Sequence, residues 1–168
     1  INTINYVTIA TTGDAVDFGD QTAVLESGCE GSSTTRGVLA GGGNLKAIDF
    51  ITIMTTGNAQ DFGDLSANVT NGSGLSNSTR AVFKVRFQSG SYSNTLEFIT
   101  IATTGNSTDF GDSINTSSTL TADASPTRGI FAGGYNPVGG NNNVIQKIEI
   151  TTTGNALDFG DANYSADH

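Results

Sequence analysis

Apolar residues come in short runs along this chain, separated by stretches dominated by Thr, Ser, Asn and Gly. Ile48-Asp49-Phe50-Ile51-Thr52-Ile53 and Leu96-Glu97-Phe98-Ile99-Thr100-Ile101 are rich in β-branched and aromatic residues, the composition of a strand. A Gly-Asn or Gly-Asp pair follows each such run, at Gly13-Asp14, Gly57-Asn58, Gly105-Asn106 and Gly154-Asn155. Such pairs tolerate positive φ and predict a tight hairpin turn. A strand carrying Asp-Phe-Gly-Asp then returns antiparallel. After a polar stretch such as Ser113 to Ser125 comes an Arg-led apolar strand, Gly129-Ile130-Phe131-Ala132.

This order recurs. Asp-Phe-Gly-Asp starts at Asp17, Asp61, Asp109 and Asp158, at offsets of 44, 48 and 49 residues, each time after a Thr-Thr-Gly turn. Thr-Arg before an apolar run marks a second position, at Arg36, Arg80 and Arg128. Four short strands per period make the size of a propeller blade. The expected fold is all-β, a β-propeller of four-stranded antiparallel blades. Residues 1–20 form a half blade, 21–64 and 65–112 one blade each, and 113–168 a blade plus a C-terminal tail. That layout gives 14 strands, three and a half blades, and a ring so small would leave open edges. Closure then requires more chain or another copy. Two copies would supply seven blades, and a longer parent chain explains the start at Ile1, in mid-pattern, equally well.

The landmarks resemble the kelch repeat, in which a strand ends in a diglycine, the next bears an aromatic and the one after a large aromatic, usually Trp. Here the strand is Val38-Leu39-Ala40-Gly41-Gly42, the aromatic is Phe50, and Phe62 takes the Trp place. The pattern departs from kelch in lacking Trp and in Val85-Arg86, which replaces the diglycine. Lys147 also stands where other repeats have Tyr6, Phe50 and Phe98. The repeat wording, Ile-Thr-Ile-Ala-Thr-Thr-Gly-Asn with Thr-Arg-Gly-Ile-Phe-Ala-Gly-Gly-Tyr, resembles repeats in structural proteins of marine bacteriophages. That resemblance implies a virion tail or fibre protein, and hence a virion or extracellular location.

Composition narrows the function classes. Thr, Ser and Asn contribute 24, 16 and 16 of the 168 residues, which disfavours a helical bundle. With a net charge of −9 and only 7 Lys and Arg, no basic stripe exists to bind nucleic acid. No apolar run approaches the length of a membrane-spanning helix, so no membrane insertion is expected. Cys29 is the lone cysteine, and His168 the lone histidine, at the C-terminal end of the sequence. No nucleophile elbow or metal-ligand cluster appears, and an EF-hand loop is absent despite the spacing of Asp14, Asp17 and Asp20. The expectation is a non-enzyme without a cofactor. A carbohydrate-active enzyme with an acid pair spanning two blades is the distant alternative.

The recurring residues read as architecture. Phe18, Phe62, Phe110 and Phe159 are each expected to bury a ring between adjacent blades. Arg36, Arg80 and Arg128 are expected to form blade-to-blade ion pairs with Asp20, Asp64 or Asp112; the alternative is an anion-binding ring. Recognition is expected in the loops between the second and third strands of each blade, at Gly41 to Ala47, Gln88 to Asn94 and Gly133 to Asn143, because these vary. Tyr92, Tyr135, Asn136 and Asn142 lie there, and Tyr164 follows the last Asp-Phe-Gly-Asp. Tyrosine beside Asn and Gly suits an adaptable contact surface, including one for host-surface glycans. The other expected partners are protein subunits, self or virion. A secreted or surface-attached bacterial adhesion module is the competing setting.

Overall fold

The computed structural model describes residues 2–85, 92–118, 120–136 and 139–163. Its regular structure is all strand, with no helix among the described residues. The first two strands, β1 (Thr3–Tyr6) and β2 (Val16–Asp20), form a two-stranded sheet. Three four-stranded antiparallel sheets follow, each an in-order meander. The first holds β3 (Cys29–Ser32), β4 (Arg36–Gly42), β5 (Leu45–Thr52) and β6 (Gln60–Val69). The second holds β7 (Ser73–Ser76), β8 (Arg80–Lys84), β9 (Thr95–Thr100) and β10 (Thr108–Asp112). In the third, β11 (Thr121–Ala124), β12 (Arg128–Ala132), β15 (Val144–Glu149) and β16 (Leu157–Asp161) pair, with a small hairpin of β13 (Tyr135–Asn136) and β14 (Gly140–Asn141) inserted. The fourteen expected strands are therefore present, in the expected sheets, and the β13–β14 hairpin is the addition.

Asp-Phe-Gly-Asp is a β-bulge. Asp61 pairs with Asp49 and Gly63 with Ile48, which leaves Phe62 as the extra residue. The same register shift falls at Phe18, Phe110 and Phe159. A bulge twists its strand and re-aims one side chain, and here that side chain is the phenylalanine. Gly63 beside it sits at φ +150°, and a Cβ there would lie 2.4 Å from the Gly105 carbonyl oxygen. Only glycine fits that approach.

That contact belongs to a joint between successive repeats, made three times. Gly57 and Ala59 donate their N–H groups to the Phe18 and Asp20 carbonyls at 2.7 and 2.8 Å. The Asp20 N–H in turn donates to the Asn58 side-chain oxygen at 3.0 Å. Gly105, Ser107 and Asn106 repeat the pattern on Phe62 and Asp64, and Gly154, Ala156 and Asn155 on Phe110 and Asp112. The Gly-Asn pair is thus a docking segment, which corrects the hairpin-turn expectation. Gly57 does have a positive φ, +156°, but Asn58 is not among the positive-φ residues, as a two-residue hairpin turn would require. The chain reverses earlier, where Thr55 N–H bonds the Thr52 carbonyl.

Two apolar cores lie at these joints. One gathers Val38, Ile48, Phe50 and Phe62 of the first sheet with Ala81, Phe83, Ile99 and Ile101 of the second. The other gathers Val82, Leu96 and Phe110 with Phe131, Ile148 and Ile150. Each buried phenylalanine or isoleucine contributes roughly 1.5–3 kcal/mol. Phe18, Phe62 and Phe110 are buried as expected, but Phe159 is 53% exposed. The reason is positional: each such ring is covered by the following repeat, and among the described residues none follows β16.

Three further expectations change. The region Gly41 to Ala47 is almost wholly strand: only Gly43 and Asn44 separate β4 from β5, at φ +59° and +67°, a tight turn that twists with the strands. The residue-64 boundary falls inside β6, which runs to Val69. The sum of two copies also needs revision. The surplus pair β1–β2 matches the third and fourth strands of a sheet, so two copies hold six four-stranded sheets and two such pairs, not seven blades.

Candidate functional site

The first strands of the three four-stranded sheets, β3, β7 and β11, lie side by side and bound a groove of about 320 Å³. Glu30, Ser32, Ser76 and Asp123 supply its polar lining, and Gly31, Gly74 and Leu75 its floor. The strands approach closely because small residues face one another. A Cβ on Gly74 would meet the Glu30 carbonyl oxygen at 2.0 Å. Ser76 bridges to the neighbouring sheet, accepting from the Ser32 N–H at 2.9 Å and donating to the Ser32 carbonyl at 3.0 Å. The groove is open, acidic and rich in hydroxyls. Nothing in the sequence marks it, since its residues are unremarkable singly and only the stacking of repeats aligns them.

The predicted loop residues come together in part. Tyr135, Asn136 and Asn142 lie in one lobe, which the β13–β14 hairpin forms with the segment entering β11. Tyr135 pairs with Asn141, bridges to Ser118 and is 45% exposed. The two asparagines are committed within the protein. Asn142 donates to the Ser117 hydroxyl at 2.8 Å and accepts from the Val144 N–H at 2.7 Å. Asn136 donates to the Thr116 hydroxyl at 3.3 Å. They shape the lobe, and the exposed Tyr135 is what it presents. Tyr92 is half-buried in the corresponding connection of the second sheet. Tyr164, most of the 88–94 loop and His168 lie outside the described residues.

No protein-family model matches this chain, and no curated protein matches it. The chemistry of its recurrent side chains therefore rests on geometry.

The arginines do not meet the Asp-Phe-Gly-Asp carboxylates. Arg36 lies over the Phe50 ring, 4.3 Å from its centroid, and donates to the Ile101 carbonyl of the next repeat at 2.9 Å. Arg80 lies over Phe98 at 4.6 Å and donates to the Ile150 carbonyl at 3.2 Å. Register explains the correction. Arg36 pairs with Thr52 at one end of the sheet, whereas Asp64 pairs with Ala47 toward the other. Asp64 instead meets Lys46 at 3.1 Å. Arg128 has Lys147 where the ring would be and pairs with Glu149 at 3.8 Å, largely in solvent. Lys147 in turn reaches the Phe159 ring at 5.8 Å.

Sequence reading missed a second clamp. Asp49, Glu97 and Gln146 occupy one repeat position and are buried. Each accepts from the residue two places beyond the preceding Asp-Phe-Gly-Asp. Asp49 takes the Thr22 N–H, Glu97 the Ser66 N–H at 3.1 Å, and Gln146 the Ile114 N–H at 2.8 Å. Glu97 also accepts from the Ser66 and Ser107 hydroxyls. Ile114 offers no hydroxyl, and the Gln146 amide nitrogen is left without a partner. Aligning the repeats would have shown the signal: a long or short polar side chain at one fixed place between apolar neighbours.

Cys29 and Lys84 are buried at the same joint. The Cys29 thiol donates to the Lys84 carbonyl at 3.7 Å. Burial, with Glu30 and Glu97 adding to it, pushes that thiol well above the ordinary cysteine range, so it stays a thiol. The Lys84 ammonium donates to the Ser93 carbonyl at 2.5 Å, and burial lowers its pKa to about 8. Among the described residues, no three His, Cys, Asp or Glu side chains gather closely enough to hold a metal ion.

Proposed function

We propose that the chain is a non-catalytic β-propeller module whose sheets are consecutive blades, and that it presents loops to partner subunits or host-surface glycans. One observation carries this reading. The joint between repeats is built three times from the same hydrogen bonds, while the connection from second to third strand differs in each repeat. It is a two-residue turn at Gly43-Asn44 and an inserted hairpin bearing the exposed Tyr135 in the third sheet. A uniform scaffold with divergent loops is an arrangement for recognition. The buried carboxylates Asp49 and Glu97 are occupied by clamp hydrogen bonds, which supports a structural role for them over an acid–base one. The resemblance of the repeat wording to marine phage structural proteins makes a virion tail or fibre the proposed setting.

Glycan-array binding by the intact chain, compared with a Tyr92→Ala/Tyr135→Ala double variant, tests the recognition surface. Binding that disappears in a variant with unchanged thermal unfolding is expected. Binding that persists would move recognition elsewhere, with the groove between β3, β7 and β11 next to test.

A further inference from the structure

The two ends of the repeat array carry the unused halves of the joint that the chain makes three times internally. On the β16 side, the Phe159 and Asp161 carbonyls stand where Phe18, Phe62 and Phe110, with the aspartates after them, accept hydrogen bonds. A Cβ on Gly160 would meet nothing, whereas on Gly19, Gly63 or Gly111 it would strike the next repeat's backbone within 2.5 Å. An open pocket of about 490 Å³ lies on β11 and β12 of the same sheet, with Arg128 and Ile130 in its lining. On the β1–β2 side, the turn Gly13-Asp14-Ala15 matches Gly57-Asn58-Ala59 and Gly154-Asn155-Ala156. Ile9, four residues before Gly13, is 98% exposed, whereas its counterparts Ile101 and Ile150, each preceded by a full four-stranded sheet, are 1% and 0% exposed. Ile53, preceded only by the β1–β2 pair, is 41% exposed.

We propose that these surfaces join head to tail: the first turn of one copy docks on the last sheet of a second copy. Ile9 enters the pocket beside Ile130, and its carbonyl takes the Arg128 guanidinium, as Ile101 takes that of Arg36. Gly13 and Ala15 donate to the Phe159 and Asp161 carbonyls, and the Asp14 carboxylate accepts from the Asp161 N–H in place of the usual asparagine. The Asn5 side chain stands where Asp49, Glu97 and Gln146 stand, and receives the Asn163 N–H. The occupant is a second copy because this chain itself carries the matching donor, acceptor and apolar groups, in the spacing that already fits three times. The contact is heterologous, so its repetition builds a ring or an open fibre. The inference rests on reading the sheets as consecutive blades.

Sedimentation of the intact chain over a range of concentrations tests it, with Ile9→Glu and Ile130→Glu each blocking one half of the joint. Wild type is expected to gain mass with concentration and each variant to stay monomeric. An equimolar mixture of the two should form dimers, because each variant keeps the half that the other lost. A monomeric wild type, variants that associate as it does, or a mixture that stays monomeric would overturn the proposal. Ile101→Glu separates it from the blade reading. If that variant unfolds more readily than wild type while the mixture fails, only the head-to-tail contact falls. If it is as stable as wild type, the blade reading falls with it.

Discussion

Asp49 holds Thr22 by both ends: its carboxylate accepts the Thr22 N–H at 2.8 Å and the Thr22 hydroxyl at 2.7 Å, across the joint between β2 and the first four-stranded sheet. Removing the acceptor leaves two donors to find water at an interface. Asp49→Ala is expected to lose about 1–3 kcal/mol, and Thr22→Val, which keeps the N–H bond, only about 1 kcal/mol. Urea unfolding of both variants reads the difference. Equal losses would show that the hydroxyl carries the clamp and the N–H bond nothing.

The bulge glycines separate a closed joint from an open one. Gly63→Ala pushes a methyl into the Gly105 carbonyl and is expected to cost roughly 2–4 kcal/mol. Gly160→Ala has the same backbone conformation but nothing within 4 Å, so its cost should stay near roughly 1 kcal/mol. Thermal unfolding of the monomer decides; equal destabilisation would mean that φ alone, and not the approach of the next repeat, fixes glycine there.

Lys84 gives the fold a pH dependence of defined sign. Its folded pKa, about 8, lies below the ordinary 10.5 because burial disfavours the ammonium. Between those values the unfolded chain binds the proton and the folded chain does not, so the Lys84 contribution to stability rises with pH across that window. Above about pH 9 it is opposed by the buried Cys29 thiol, which stays protonated only in the fold. The gain reaches about 3 kcal/mol at most, at roughly 1.4 kcal/mol per pKa unit. Below pH 8 the cost of the buried charge is carried in full. Lys84→Met should therefore be more stable than wild type at pH 7 and lack the rise between pH 8 and 9. Denaturant unfolding at a series of pH values tests this, and a variant that keeps the wild-type slope would refute the assignment to Lys84.

Strand order and sheet membership were legible in the sequence because the same landmarks recur four times, so one reading of Ile48–Asp64 applied to every copy. The partners of those landmarks were not. Charge complementarity pointed Arg36 at an aspartate, but strand register puts the two at opposite ends of the sheet, and the guanidinium satisfies itself on a ring and a carbonyl. Phe159 stands in the same Asp-Phe-Gly-Asp as Phe62, yet its burial depends on what comes after it. Asn136 and Asn142 looked available for a ligand, and backbone geometry spends them on the lobe. Asp49, Glu97 and Gln146 escaped notice because they differ chemically while serving one place. Local chemistry was readable; what each group faces across a joint was set by packing between repeats separated by more than forty residues.

The central claim is that one joint, made three times, holds the repeats together and leaves its two halves open at the ends. Amide hydrogen exchange on dilute, monomeric protein measures it directly. The Gly57, Gly105 and Gly154 amides, each bonded to a carbonyl of the preceding repeat at 2.7 Å, should exchange slowly. The Gly13 amide should exchange freely, and gain protection only at concentrations where the chain associates. Gly57, Gly105 and Gly154 exchanging as fast as Gly13 would contradict the account.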